Sequence, residues 1–189
     1  MKLRAITLIV ILTLLLTACS GFGRSILDVI QDRYQISDTV ESSVDVDDTS
    51  KLFTTKQSIS EVEKTLTDEI KPERESEVVD GKQVLVYDDY FVTLSKDENN
   101  PDQTNIEVAT YGFVRDNYRP SFFDGLLTYA ILNQLFGVSN WSGLQGDRCN
   151  TSGGCYEGYN KSGGHYKGPG SFPIFRSSTT RGGGPGEGK

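Results

Sequence analysis

The chain has 189 residues, a formal net charge of -7, 36% hydrophobic residues and a single His, which suits one modest domain with tails. Its acidic balance excludes nucleic acid as a partner, because neutralising phosphates needs clustered Lys and Arg. Charge is uneven: residues 24–139 hold 23 acidic and 11 basic side chains, whereas residues 140–189 hold 3 acidic and 6 basic.

At the start, Lys2 and Arg4 precede an uncharged apolar run from Ala5 to Cys19. The run is shorter than the roughly 20 residues needed to cross about 30 Å of hydrocarbon. A positive start, a short apolar core and small residues before a cleavage point describe a secretory signal. Its end, Leu16, Thr17, Ala18 and Cys19, resembles the lipobox of bacterial lipoproteins. The resemblance implies recognition of Leu16 to Ala18 by a signal peptidase, removal of residues 1–18, and acylation of Cys19 by diacylglycerol and a further fatty acid such as palmitate. Each buried CH₂ contributes ~0.8 kcal/mol, so two or more chains give stable attachment. The expected location is the extracytoplasmic face of the cell membrane, with residues 19–50 forming the anchor, a short helix and an acidic linker.

Arg24 to Tyr34 carries a capping-box pair, Ser25 and Asp28, and an apolar stripe of Ile26, Val29, Ile30 and Tyr34, which predicts a helix. That stripe packs in the core or touches the membrane. Gln35 to Ser50 is acidic and poor in large apolar residues, so it reads as a linker. Its Asp45, Asp47 and Asp48 lack the Gly and the terminal Glu of an EF-hand loop, so no calcium site is expected. Residues 51–139 then form the α+β domain. Lys51 to Thr55 is a strand candidate, and Ser58 with Glu61 caps a helix with Ile59, Val62, Leu66 and Ile70 on one face before Pro72. Asp80-Gly81 joins Glu75–Val79 to Lys82–Tyr87 as a hairpin, Asp88-Asp89 turns into Tyr90–Leu94, and Thr104–Val114 alternates, with Gly112 a candidate bulge. The expectation is a small antiparallel sheet of four to five strands in meander order, packed with an amphipathic helix.

After Arg119-Pro120, the run from Ser121 to Phe136 has almost no polar face, which predicts one apolar helix about 23 Å long, closed by Gly137. It either covers the second face of the sheet or offers Phe122, Phe123, Leu127, Ile131 and Leu135 to a membrane protein or to the membrane interface. Residues 140–189, with 14 of the 20 Gly at or beyond Gly143, read as a disordered, basic, Gly/Tyr-rich tail. Within it Cys149 and Cys155 are open to three readings: a disulfide, free thiols, or metal ligands with His165. No zinc spacing matches, and no metal or cofactor is expected. The Gly-rich stretch ending at Lys189 imitates a phosphate-binding loop, but no strand precedes it. Asp88 and Asp89 read as turn residues rather than an acid–base pair. Lys161, Lys167, Arg176 and Arg181, interleaved with aromatic residues, could meet an anionic envelope polymer.

The lipobox, the stretch from Lys51 to Phe113 with its Val-Tyr-Asp-Asp-Tyr-Phe-Val hairpin, the apolar segment after Pro120 and the Gly-rich close together resemble an uncharacterised bacterial lipoprotein family carrying domain of unknown function 4247. The resemblance implies localisation and, because members of the family look to be encoded near small multi-pass membrane proteins, a role in a membrane complex; it implies no catalytic residues. The expected function is a non-enzymatic interaction module held at the membrane, with an integral membrane protein as a possible partner. An envelope enzyme acting on wall polymer or lipid is the alternative.

Overall fold

A computed structural model describes residues 23–168. The signal segment, Leu16, Thr17, Ala18, Cys19, and the far part of the tail with Arg176 and Arg181 lie outside the described residues. In order, the elements are α1 (Ile26–Arg33), β1 (Gln35–Glu41), β2 (Thr49–Thr55), α2 (Ile59–Glu69), β3 (Arg74–Glu75), β4 (Lys82–Val86), β5 (Tyr90–Lys96), β6 (Thr104–Thr110), α3 (Tyr111–Asn117), a 3-10 turn (Pro120–Phe123), α4 (Tyr129–Phe136), α5 (Trp141–Thr151) and α6 (Tyr159–Ser162). The class is α+β, around one antiparallel sheet ordered β1-β2-β6-β5-β4-β3.

Six strands replace the four or five expected. Strands β3 to β6 form the meander, and Asp80 and Gly81 take φ of 49° and 70° in its first turn. The β1–β2 hairpin adds to β6. Strand β1 occupies sequence that reads as linker, because at the sheet edge it buries only Val40 and leaves Ile36 48% exposed. Pairing to β2 makes it a strand, not its own hydrophobicity.

The first face of the sheet is covered by α1 and α2. Both capping boxes form, Ser25 with Asp28 and Ser58 with Glu61. Ile26, Val29 and Ile30 of α1 and Ile59, Val62 and Leu66 of α2 pack with Phe53, Leu85, Val92, Leu94, Ile106 and Val108. The α1 stripe is therefore core.

The second face departs further from expectation. Strand β6 stops at Thr110, whose hydroxyl accepts the Phe113 N–H (3.2 Å) and starts α3, so Tyr111 and Phe113 are helical. Gly112 is no bulge; a Cβ there would stand 1.9 Å from the Asp48 carboxylate. The apolar run is not one helix. Pro120–Phe123 is a 3-10 turn, Gly125 adopts φ of 77°, and Thr128 caps the short α4, which ends at Gly137 with φ of 63°. Positive φ at Gly125 breaks helical continuity. Residues 140–168 are folded, not a disordered tail: Trp141, Tyr156 and Tyr166 are buried with Phe91, Phe113, Tyr118, Phe122 and Phe123. Edge-on ring contacts such as Tyr118–Phe122 at 4.8 Å and Tyr156–Tyr166 at 5.0 Å knit this layer, each worth ~0.5–1.5 kcal/mol beyond burial.

Candidate functional site

On its second face the sheet is apolar at one end and polar at the other. Cross-strand register places Val84, Thr93, Glu107 and Leu52 in one row, and Lys82, Ser95, Asn105 and Thr54 in the next. Glu107 is 4% exposed. Its Oε1 accepts hydrogen bonds from the hydroxyls of Ser50 (2.6 Å), Tyr118 (2.8 Å) and Tyr156 (2.7 Å). Its Oε2 accepts the backbone N–H of Tyr159 (3.1 Å). No cation lies within 4.0 Å of it among the described residues. Isolating such a charge costs several kcal/mol, offset by four charge-assisted hydrogen bonds of ~1.5–3 kcal/mol each. Burial first, and the Glu107 charge next, hold the Tyr118 and Tyr156 phenols well above their ordinary range, so both remain donors.

These bonds fasten the C-terminal segment to β6. Tyr156 N–H donates to the Asn117 carbonyl, and Arg119 N–H to the Tyr156 carbonyl, both at 2.8 Å. Arg119 also pairs with Glu157 at 2.7 Å. Tyr159 donates its hydroxyl to Asp38 at 2.6 Å; burial, then that bond, push its phenol up to about 12. A disulfide joins Cys149 to Cys155 with Cα atoms 5.1 Å apart, and both are buried. It ties α5 to the stretch that delivers Tyr156.

Beside this hub opens a cavity of about 360 Å³ whose lining includes Lys82, Thr93, Ser95, Glu107, Phe122 and Asn160. The Lys82 ammonium sits 4.5 Å from the centre of the Phe122 ring. Asn160 accepts from Asn105 Nδ2 and donates to the Lys96 carbonyl, both at 2.7 Å, while Asn105 Oδ1 is buried without a partner among the described residues.

The residues expected to face a partner divide. Phe122, Phe123 and Leu127 are buried, at 8%, 1% and 7% exposure, so as contact residues they are corrected: the apolar run folds back on the sheet instead of projecting. Ile131 and Leu135 lie half-buried on α4, where Tyr129 is 40% exposed. His165 is exposed, and no group of three or more His, Cys, Asp or Glu suited to a metal ion occurs among the described residues. Tyr87, Asp88, Asp89 and Tyr90 line a recess of about 290 Å³ with Glu73; a hydrogen bond to Asp88 is the chief cause raising the Glu73 carboxyl. Arg115, on α3, pairs instead with Asp116 at 2.6 Å.

Sequence reading passed over Glu107, Thr93 and Lys82. The available signal was a carboxylate between Ile106 and Val108 in a central strand. Alternation suggests a solvated second face there, and nothing local announces a covering layer from residues 140–168.

The chain matches the family described as Domain of unknown function (DUF4247) over residues 12–189. It belongs to that family. The match takes in the sheet, both covering layers and the Glu107 cavity of this DUF4247 chain. No curated protein and no solved structure matches it.

Proposed function

We propose that the chain is a lipoprotein anchored through Cys19 on the extracytoplasmic face of a membrane, where its domain acts as a non-enzymatic accessory of a membrane or envelope complex. One observation carries this: Cys19, which closes the lipobox-like stretch from Leu16, stands seven residues before Ile26, where α1 begins. Seven residues reach at most about 25 Å, so an acylated Cys19 keeps α1 and the neighbouring Asp88-Asp89 turn near the lipid headgroups. The buried Cys149–Cys155 bond suits an oxidising compartment. No helix among the described residues is long and apolar enough to cross a membrane.

Within this reading, Tyr129, Ile131 and Leu135 on α4 supply the contact with an integral membrane partner, and Lys161 and Lys167 can meet an anionic polymer. Mass spectrometry of the membrane-extracted protein should show a diacylated and N-acylated Cys19, and Cys19→Ala should leave the membrane fraction. Photo-crosslinkers at Ile131 and Leu135 should trap one discrete partner; capture of none refutes the complex while leaving the anchor intact. A second reading, an envelope enzyme, draws on the Glu73–Asp88 pair. It requires release of soluble fragments from wall polymer or lipid that Glu73→Gln abolishes.

A further inference from the structure

Among the eight charged side chains that line the Glu107 cavity, Glu107 and Lys82 are of opposite sign and do not pair with each other. Glu107 has no cation within 4.0 Å, and half-buried Lys82 has no carboxylate within 4.0 Å, among the described residues. Burial, followed by the charge of Lys161, lowers the Lys82 ammonium; exposed Asp80 and Glu98 at the rim act more weakly the other way. Unpaired charge of either sign is costly when removed from water. One molecule bridging the two groups gives each a countercharge, beyond the hydrogen bonds that already offset the isolation of Glu107.

The hydrogen-bond inventory fixes the polarity of that molecule. Oε1 of Glu107 is filled by three hydroxyl donors, whereas among the described residues Oε2 takes only the Tyr159 N–H and keeps an accepting position. Across the strand from Glu107 stands Thr93, which lines the cavity beside it, whereas Ser95, in the next row, stands across from Lys82. The Glu107 row thus offers acceptors. That next row carries Lys82; Lys161, also on the wall, is ion-paired with Glu157 at 3.9 Å. The cavity volume of about 360 Å³ accommodates a small ligand.

We propose that this cavity binds a small zwitterion of the amino-acid class, its protonated amine on Glu107 and Thr93 and its anionic group on Lys82. The amine donates to Oε2 and the Thr93 hydroxyl, and the Phe122 ring closes the side already occupied by Lys82. The assignment is independent of the lipid anchor and of any partner on α4.

The test is calorimetry on the full chain in detergent micelles with glycine, L-alanine, D-alanine and dialanine as probes, and with methylammonium and acetate as half-ligands. At least one zwitterion should give a saturable isotherm with one site, and each half-ligand should bind at least tenfold more weakly. Lys82→Met and Thr93→Val lie outside the hydroxyl hub and should each weaken the zwitterion at least several-fold without lowering Tm. Glu107→Gln should weaken it further; if that variant does not fold, the other two decide. Absence of saturable binding by all four zwitterions overturns the proposal. So does binding that survives both Lys82→Met and Thr93→Val, or acetate or methylammonium matching the best zwitterion.

Discussion

The two faces of the sheet are built by different physics. On the first, α1 and α2 lay apolar stripes on Phe53, Leu85, Val92, Leu94, Ile106 and Val108, and both helices carry their own capping boxes. Each helix there is specified by a short stretch of chain. On the second, Val40, Phe91, Tyr118, Trp141, Tyr156 and Tyr166 meet from distant parts of the sequence, and a buried carboxylate, not a helical stripe, sets their register. The first face is a hydrophobic layer with local instructions; the second is a polar anchor around which an aromatic layer gathers.

That contrast can be broken most severely with alkali. Tyr118 and Tyr156, raised by burial and by Glu107, and Tyr159, pushed up to about 12, belong to the second face. A phenol whose folded pKa is raised contributes stability that is complete below its unfolded value near 10 and is lost as pH climbs toward the folded value. Near-ultraviolet circular dichroism should therefore show cooperative unfolding that begins above about pH 10, with tyrosine ionisation following the loss of structure. Next in size, Glu107→Ala should lower stability by about 3–5 kcal/mol in urea melts, because it orphans three buried hydroxyls and the Tyr159 N–H.

On the other face, Leu66→Ala should cost about 3 kcal/mol through a cavity, without disturbing the near-ultraviolet signal of the Tyr156 layer in the native baseline. Reducing Cys149–Cys155 should cost ~2 kcal/mol, since the loop it closes is short. Amide exchange should then quicken at Tyr156 and Tyr166 and stay slow in α1 and α2. The smallest effect is Ser58→Ala, about 1 kcal/mol for the lost cap, readable as a Tm shift with the second face unchanged.

How much was legible follows the same division. The helices at Ile26 and Ile59, the Asp80-Gly81 turn and strands β4 and β5 could be read because each signal lies within a few residues of the structure it specifies. The apolar run after Pro120 misled because hydrophobicity without periodicity cannot distinguish a buried helix from a folded-back segment; positive φ at Gly125 and capping by Thr128 divide it. Strand β1 and the folded part of 140–168 were missed for another reason. Neither has an apolar pattern of its own, and both are stabilised by what they pair with. Glu107 looked like an ordinary outward residue because the groups that bury it lie 57 residues before it and 11 to 52 residues after it.

Taken alone, the amino-acid order settled the class of fold, the amphipathic helices and the tight turns, since backbone preference and short-range periodicity act within a single turn or strand. Only the assembled tertiary structure decided that a glycine-rich segment folds, that Phe122 and Phe123 turn inward, and that Glu107 and Lys82 share a cavity without pairing. Those outcomes depend on burial and on donors brought from far along the chain, and the free energy of a buried charge has no value until its neighbours are in place.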